Sequence, residues 1–232
     1  MISKYFPLAM LASLVAASPL KERASYPPIS QSSGFTLVAN VTDTSKPIFD
    51  PPVNGWSLVG THVGAGQSTA VLSPGVGSVF FVNGTGQQVS SASTSVGLPP
   101  LTSTNIDGNP YYIPMGLQFS TNAEGNEVYV GLNVGLGTSG AGIIPGLRSP
   151  YAELFGPYGG TFAVCNESEP AYGRPQYAVR LEVDGVQANC VAINLLAQCA
   201  ELPALNGVDE LDIIVEDVKC YENVAAIDWS QY

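Results

Sequence analysis

Apolar and polar residues alternate with a period of two along much of this chain, and sustained helical periodicity is scarce. The clearest case is Glu127 to Val134, where Val128, Val130, Leu132 and Val134 share one face of a predicted strand. Further strands are predicted over Phe35 to Val41, Trp56 to Val63, Val71–Leu72, Ser78 to Val82 and Met115 to Phe119. In the last third they resume at Thr161 to Cys165, Tyr177 to Val183, Val186 to about Ala197 and Leu211 to Tyr221. A helix over Val191 to Leu202 is the main competitor to this all-β reading.

Turn chemistry divides these runs. Val63 to Gln67 turns the chain, and Ser73-Pro74-Gly75 presets the dihedrals of a turn. Asn83 to Thr104, rich in Ser, Thr, Gly and Gln, reads as a long surface loop. Asp184-Gly185 between two apolar runs predicts a two-residue type I′ hairpin, with Val183 opposite Val186 and Val179 opposite Cys190. In the last strand Leu211, Ile213 and Val215 share one parity and Val218 and Cys220 the other. A β-bulge at Glu216-Asp217 would keep both sets on the core. The fold these elements predict is a single antiparallel β-sandwich, of which a jelly roll is one form, spanning residues 34–229.

The N-terminus changes the compartment. Lys4 precedes an apolar run from Tyr5 to Ala17 that is too short to span a bilayer, and Val15 and Ala17 are spaced for signal peptidase. Residues 1–17 are therefore expected to be a signal peptide, and residues 18–33 a mobile lead-in or short pro-segment, with a second candidate cut after Arg23. The mature chain is expected to be secreted, extracellular or cell-wall-associated. Four cysteines in such a chain imply two disulfides, since neither Cys-x-x-Cys spacing nor a second histidine supports a metal site. An extended Cys190 to Cys199 would separate those two by roughly 30 Å, against a limit of about 7 Å for bridged Cα atoms. Cys165–Cys190 with Cys199–Cys220 is preferred over Cys165–Cys199 with Cys190–Cys220. Sequons at Asn40, Asn83 and Asn166 are candidate glycosylation sites.

Charge is sparse. The whole chain carries 8 basic and 19 acidic residues and a net charge of −11, so nucleic acid and anionic membranes are disfavoured as partners. Gly135 to Gly140 has the spacing of a dinucleotide-binding loop, but Gly142, Pro145 and Gly146 forbid the helix that would hold the pyrophosphate, so no cofactor is expected. His62 reads as a structural residue. Ser68 within Gly66-Gln67-Ser68-Thr69-Ala70 is near a nucleophile-elbow pattern, and Ser57 is the other candidate partner of His62, but no strand-to-helix turn is predicted there. Asn105, Asp107 and Asn109 suit a turn better than a calcium loop.

Acidic residues gather late, at Asp209, Glu210, Asp212, Glu216, Asp217, Glu222 and Asp228, and read as a solvated face. Glu182 and Glu216 lie within strands and are the candidates for a glycosidase pair. Tyr111, Tyr112, Tyr151, Phe155 and Tyr158 lie in loops, where rings can meet a sugar.

Three segments, GWSLVGTHVGAGQ (Gly55 to Gln67), GTFAVCNE (Gly160 to Glu167) and CYENVAAIDW (Cys220 to Trp229), resemble an uncharacterised family of secreted proteins of filamentous fungi. The likeness runs from about Gly34 to Trp229. It implies an extracellular or wall-associated fungal protein and brings no activity, cofactor or catalytic residue. The expected function is a non-catalytic secreted surface protein that binds a glycan or a host protein. The alternatives are a carbohydrate-active hydrolase with a carboxylate pair and a structural wall component.

Overall fold

The computed structural model describes residues 26–46, 49–50, 52–84, 103–106, 115–143, 149–169, 174–203 and 214–232. Among them the chain is all-β, apart from short 3₁₀ turns at Val224–Ala226 and Trp229–Gln231. The strands are β1 (Ser30–Ser32), β2 (Gly34–Val41), β3 (Ser57–Gly64), β4 (Gln67–Ser73), β5 (Phe80–Asn83), β6 (Ser103–Ile106), β7 (Met115–Thr121) and β8 (Glu127–Val134). They continue as β9 (Gly142–Ile143), β10 (Leu154–Phe155), β11 (Thr161–Glu169), β12 (Arg174–Glu182), β13 (Cys190–Ala200), β14 (Val215–Glu216) and β15 (Val218–Cys220).

Pairings between these strands are all antiparallel. They form a β-sandwich whose hydrogen bonds close into two circuits. One runs β11-β13-β2-β3-β4-β12 and back to β11; the other runs β2-β3-β4-β8-β7-β6-β5 and back to β2. A closed circuit leaves few unpaired backbone edges for other chains to join. The core lies between the layers and takes Phe35 and Leu37 from β2, Leu58 from β3, Leu132 from β8 and Leu181 from β12, all almost wholly buried. Period-two alternation puts these residues inward and leaves their sequence neighbours on outer faces.

The helix over Val191 to Leu202 does not form, and β13 occupies that stretch. The expected hairpin at Asp184-Gly185 is also absent. Strands β12 and β13 both pair with β11, which lies between them, so residues 183–189 cross from one side of β11 to the other. The reason is that β11 matches β12 over nine register pairs, from Thr161↔Glu182 to Glu169↔Arg174, while its other edge receives Cys190 directly opposite Cys165. Local turn chemistry at Asp184-Gly185 is outweighed by that longer-range pairing.

The phase change in the last strand has a different cause from the expected bulge. Val215–Glu216 pairs with β5 and Val218–Cys220 with β1, so the chain leaves one sheet for another at Asp217. Leu211 to Ile213 lie outside the described residues, as do Asp209, Glu210 and Asp212. Residues 30–32, expected in a mobile lead-in, form strand β1. The disulfides are Cys165–Cys190 and Cys199–Cys220, with Cα separations of 4.0 and 5.1 Å. The first tethers the start of β13 to β11, and the second holds β15 against β13.

Candidate functional site

The outer face of β8, β11 and β12 carries an unusual set of charges for a sheet surface. Alternation puts Val179 and Leu181 in the core and therefore turns Arg180 and Glu182 outward. Neither reaches solvent: Arg180 is 5% and Glu182 2% exposed. Glu182 lies directly across from Glu127 of β8, and Arg180 across from Tyr129. The Arg180 guanidinium pairs with Glu167 through Nη2 and approaches Glu127 Oε1 through Nε at 3.3 Å. It also lies over the Tyr129 ring, 4.4 Å from its centroid, a cation–π arrangement.

Burial is the main force pushing the Glu182 carboxyl above its ordinary range, with the Glu127 and Glu167 charges adding to it; a bond from Gln187 and the Arg180 charge act in the opposite direction. Glu182 Oε1 also lies 4.0 Å from Cys190 Sγ. That sulfur is in a disulfide and has no proton to donate, so the approach is a packing contact. The sulfurs of Cys165 and Cys190 and a Glu182 oxygen lie within 4.8 Å of one another, but the oxidised sulfurs are not thiolate ligands.

Beside this cluster runs an open groove of about 280 Å³ over β4, β7 and β8. Its lining includes Gln67, Thr69, Gln118, Ser120 and Asn133, with Tyr129 and Arg180 at one side. Tyr129 is 43% exposed there. Gln118 and Asn133 are oriented from behind: Thr138 Oγ1 donates to Gln118 Oε1 at 3.2 Å, and the Ser68 amide donates to Asn133 Oδ1 at 3.2 Å.

A larger cleft, about 570 Å³, opens where the first described residues meet the C-terminal turns. Pro27, Pro28, Ile227 and Tyr232 supply its apolar lining and Glu222 and Asp228 its charge. Tyr221 forms its base and is itself buried, its hydroxyl accepting from the Ala152 amide at 3.1 Å. Trp229 contacts Tyr151, Tyr221 and Tyr232 edge to face, which fixes the position of the Tyr232 ring.

The sequence-predicted candidates are thus dispersed. Glu182 and Glu216 do not form a pair, since Glu182 faces Glu127 while Glu216 lies on β14 opposite Val82. His62 is exposed on β3, opposite Ser68 of β4. Gly66 lies in the β3–β4 turn with positive φ, so no elbow forms around Ser68. Ser57 is a buried strand residue opposite Ser73. Asn105 lies in strand β6 and not in a turn; Asp107, Asn109, Tyr111 and Tyr112 lie outside the described residues. Gly135 to Gly140 forms a loop whose Gly137 backbone passes over Gly116, leaving no room there for a side chain. Tyr151 belongs to the Trp229 cluster, Phe155 to β10, and Tyr158 is exposed. Of the sequon residues, Asn166 is exposed on β11, while Asn40 and Asn83 are half-buried. Glu153, which sequence reasoning passed over, has its carboxyl raised by burial against a bond from Ser149.

Residues 32–199 match a family described as a domain of unknown function (DUF7907). The chain belongs to that family. The antigenic protein SchS34 of Stachybotrys chartarum is 30% identical to it, over 93% of this chain and 99% of that protein. No solved structure matches. In the DUF7907 span lie the whole Arg180 cluster and the Tyr129 groove, whereas most of the 570 Å³ cleft is built from residues beyond it.

Proposed function

We propose that this DUF7907 protein is secreted, stands at the fungal surface or in its surroundings, and binds a neutral glycan without cleaving it. The observation that carries the reading is the groove at Tyr129: an exposed ring on a rigid strand, followed by side-chain amides and hydroxyls of Gln67, Gln118, Ser120 and Asn133. Such a surface offers an apolar platform for a sugar ring and hydrogen-bonding groups for its hydroxyls. Strands hold these groups in fixed positions, so little ordering is needed on binding. Two disulfides and the expected leader support secretion. A hydrolase reading would use Glu182 with Glu127, but the first is covered and the second is engaged by Arg180.

Co-sedimentation of the full chain with insoluble β-glucan, cellulose and chitin tests the reading, with released reducing ends measured in parallel. Retention by one of them, weakened about tenfold by Tyr129→Ala, is the expected outcome. Release of reducing ends that Glu182→Gln abolishes would make the protein a hydrolase, and no retention on any of the three would remove the glycan reading.

A further inference from the structure

We propose that the 570 Å³ cleft at the chain ends is a separate site for a cationic glycan, an oligomer of amino sugars bearing free ammonium groups. The cleft has the volume of a small-ligand site, about 300 to 1,000 Å³. Its charged lining residues are Glu222 and Asp228, and no Lys, Arg or His is among the described residues that line it. Neutral groups alone are seen to bond these two carboxylates. Ser30 Oγ donates to Glu222 Oε1 at 3.0 Å; the Ser230 amide and hydroxyl donate to Asp228 Oδ1, and Gln231 Nε2 to Oδ2 at 2.7 Å.

Those bonds orient the carboxylates without neutralising them, and those from Ser230 and Gln231 hold the Asp228 carboxyl below its ordinary range. An ammonium group is the ligand that completes such a pair, through charge-assisted hydrogen bonds. The remaining lining suits the body of a sugar. Pro27, Pro28 and the Tyr232 ring, held by Trp229, offer apolar faces, and Asn223 and Gln231 offer amides to hydroxyls. A net charge of −11 over the whole chain draws a polycation towards the surface and repels a polyanion. None of this involves Tyr129, so the proposal stands or falls independently of the neutral-glycan groove.

The test is calorimetric titration of the full chain carrying Tyr129→Ala, which removes the ring of the neutral-glycan groove, with a glucosamine hexamer, an N-acetylglucosamine hexamer and a lysine hexapeptide. The glucosamine hexamer is expected to bind, and the acetylated hexamer about tenfold or more weakly, since acetylation removes the charge. Asp228→Asn and Glu222→Gln, each added to that variant, should weaken the glucosamine hexamer about tenfold. Equal binding of the two sugars, insensitivity to both carboxylate variants, or no binding would overturn the proposal. Equal or tighter binding of the lysine peptide would overturn it too, by showing a surface that reads charge without reading sugar.

Discussion

Glu127, Glu167 and Glu182 share one buried arginine, whereas Glu222 and Asp228 are bonded by serines and a glutamine in an open cleft. Both groups are acidic patches in an acidic protein, yet their chemistry differs in kind. Around Arg180 the countercharge is built in, Arg180 and Glu182 are withdrawn from water, and the crossing formed by residues 183–189 leaves directly from Glu182. That arrangement contributes to holding β8, β11 and β12 in register and offers no open place to a charged ligand. At the cleft the described residues supply direction and no countercharge. The difference teaches that carboxylates point to function when their partners are neutral and their surroundings open, and to architecture when a cation from the same chain is already in place.

The largest expected effect falls on the closed region. Arg180→Met removes the cation from a site where Arg180 and Glu182 are both buried, and should destabilise the fold by about 3–5 kcal/mol, read as a shift in the urea midpoint. A change under about 1 kcal/mol would mean that the glutamates find solvent without Arg180, and the contrast with the cleft would collapse. Next is the disulfide beside the cluster. The double substitution Cys165→Ala and Cys190→Ala opens a link between residues 25 apart in sequence and should cost about 3 kcal/mol by the same measurement.

A smaller effect is expected where the cleft meets the core. Tyr221→Phe leaves the buried Ala152 amide without its acceptor and should cost about 1–2 kcal/mol. If it cost as much as Arg180→Met, the base of the cleft would matter to stability no less than the charge cluster does.

How far the sequence carries the fold depends on which residues are asked. Strand β8 follows from alternation because it buries one face only, whereas for the cysteines reach excludes Cys190–Cys199 and leaves two pairings open, of which the preferred one forms although the hairpin that favoured it does not. Arg180 and Glu127 share that legibility in principle. Each occupies the outward parity of a strand whose inward positions are apolar, which predicts a shared surface once strand order is known. Strand order is what the sequence withholds. The pairing of β8 with β12 brings together residues more than 50 positions apart, and the Asp184-Gly185 signal argues for the wrong neighbour. The cleft depends on contacts between residues 27–30 and 221–232, which no local pattern encodes.

Glu182→Gln provides the finest discrimination between the two regions, because it alters protonation while nearly preserving shape. The folded protein holds the Glu182 proton more tightly than the unfolded chain does, chiefly because burial disfavours the charge. Between the ordinary carboxyl range and the raised folded value, the native state therefore binds more protons than the unfolded state. The Glu182 contribution to stability is fully present below the unfolded pKa, near 4.3, and is lost as pH rises through the folded value. Glutamine at this position removes that loss. Urea midpoints measured from pH 4 to pH 8 should fall less steeply for Glu182→Gln than for the native protein, with the two converging at the acid end. An identical slope would mean that Arg180 fully compensates the Glu182 charge. A steeper fall in the variant would mean that the ionised form is the one the fold prefers, and that Glu182 is like Asp228 of the cleft in being held as a carboxylate.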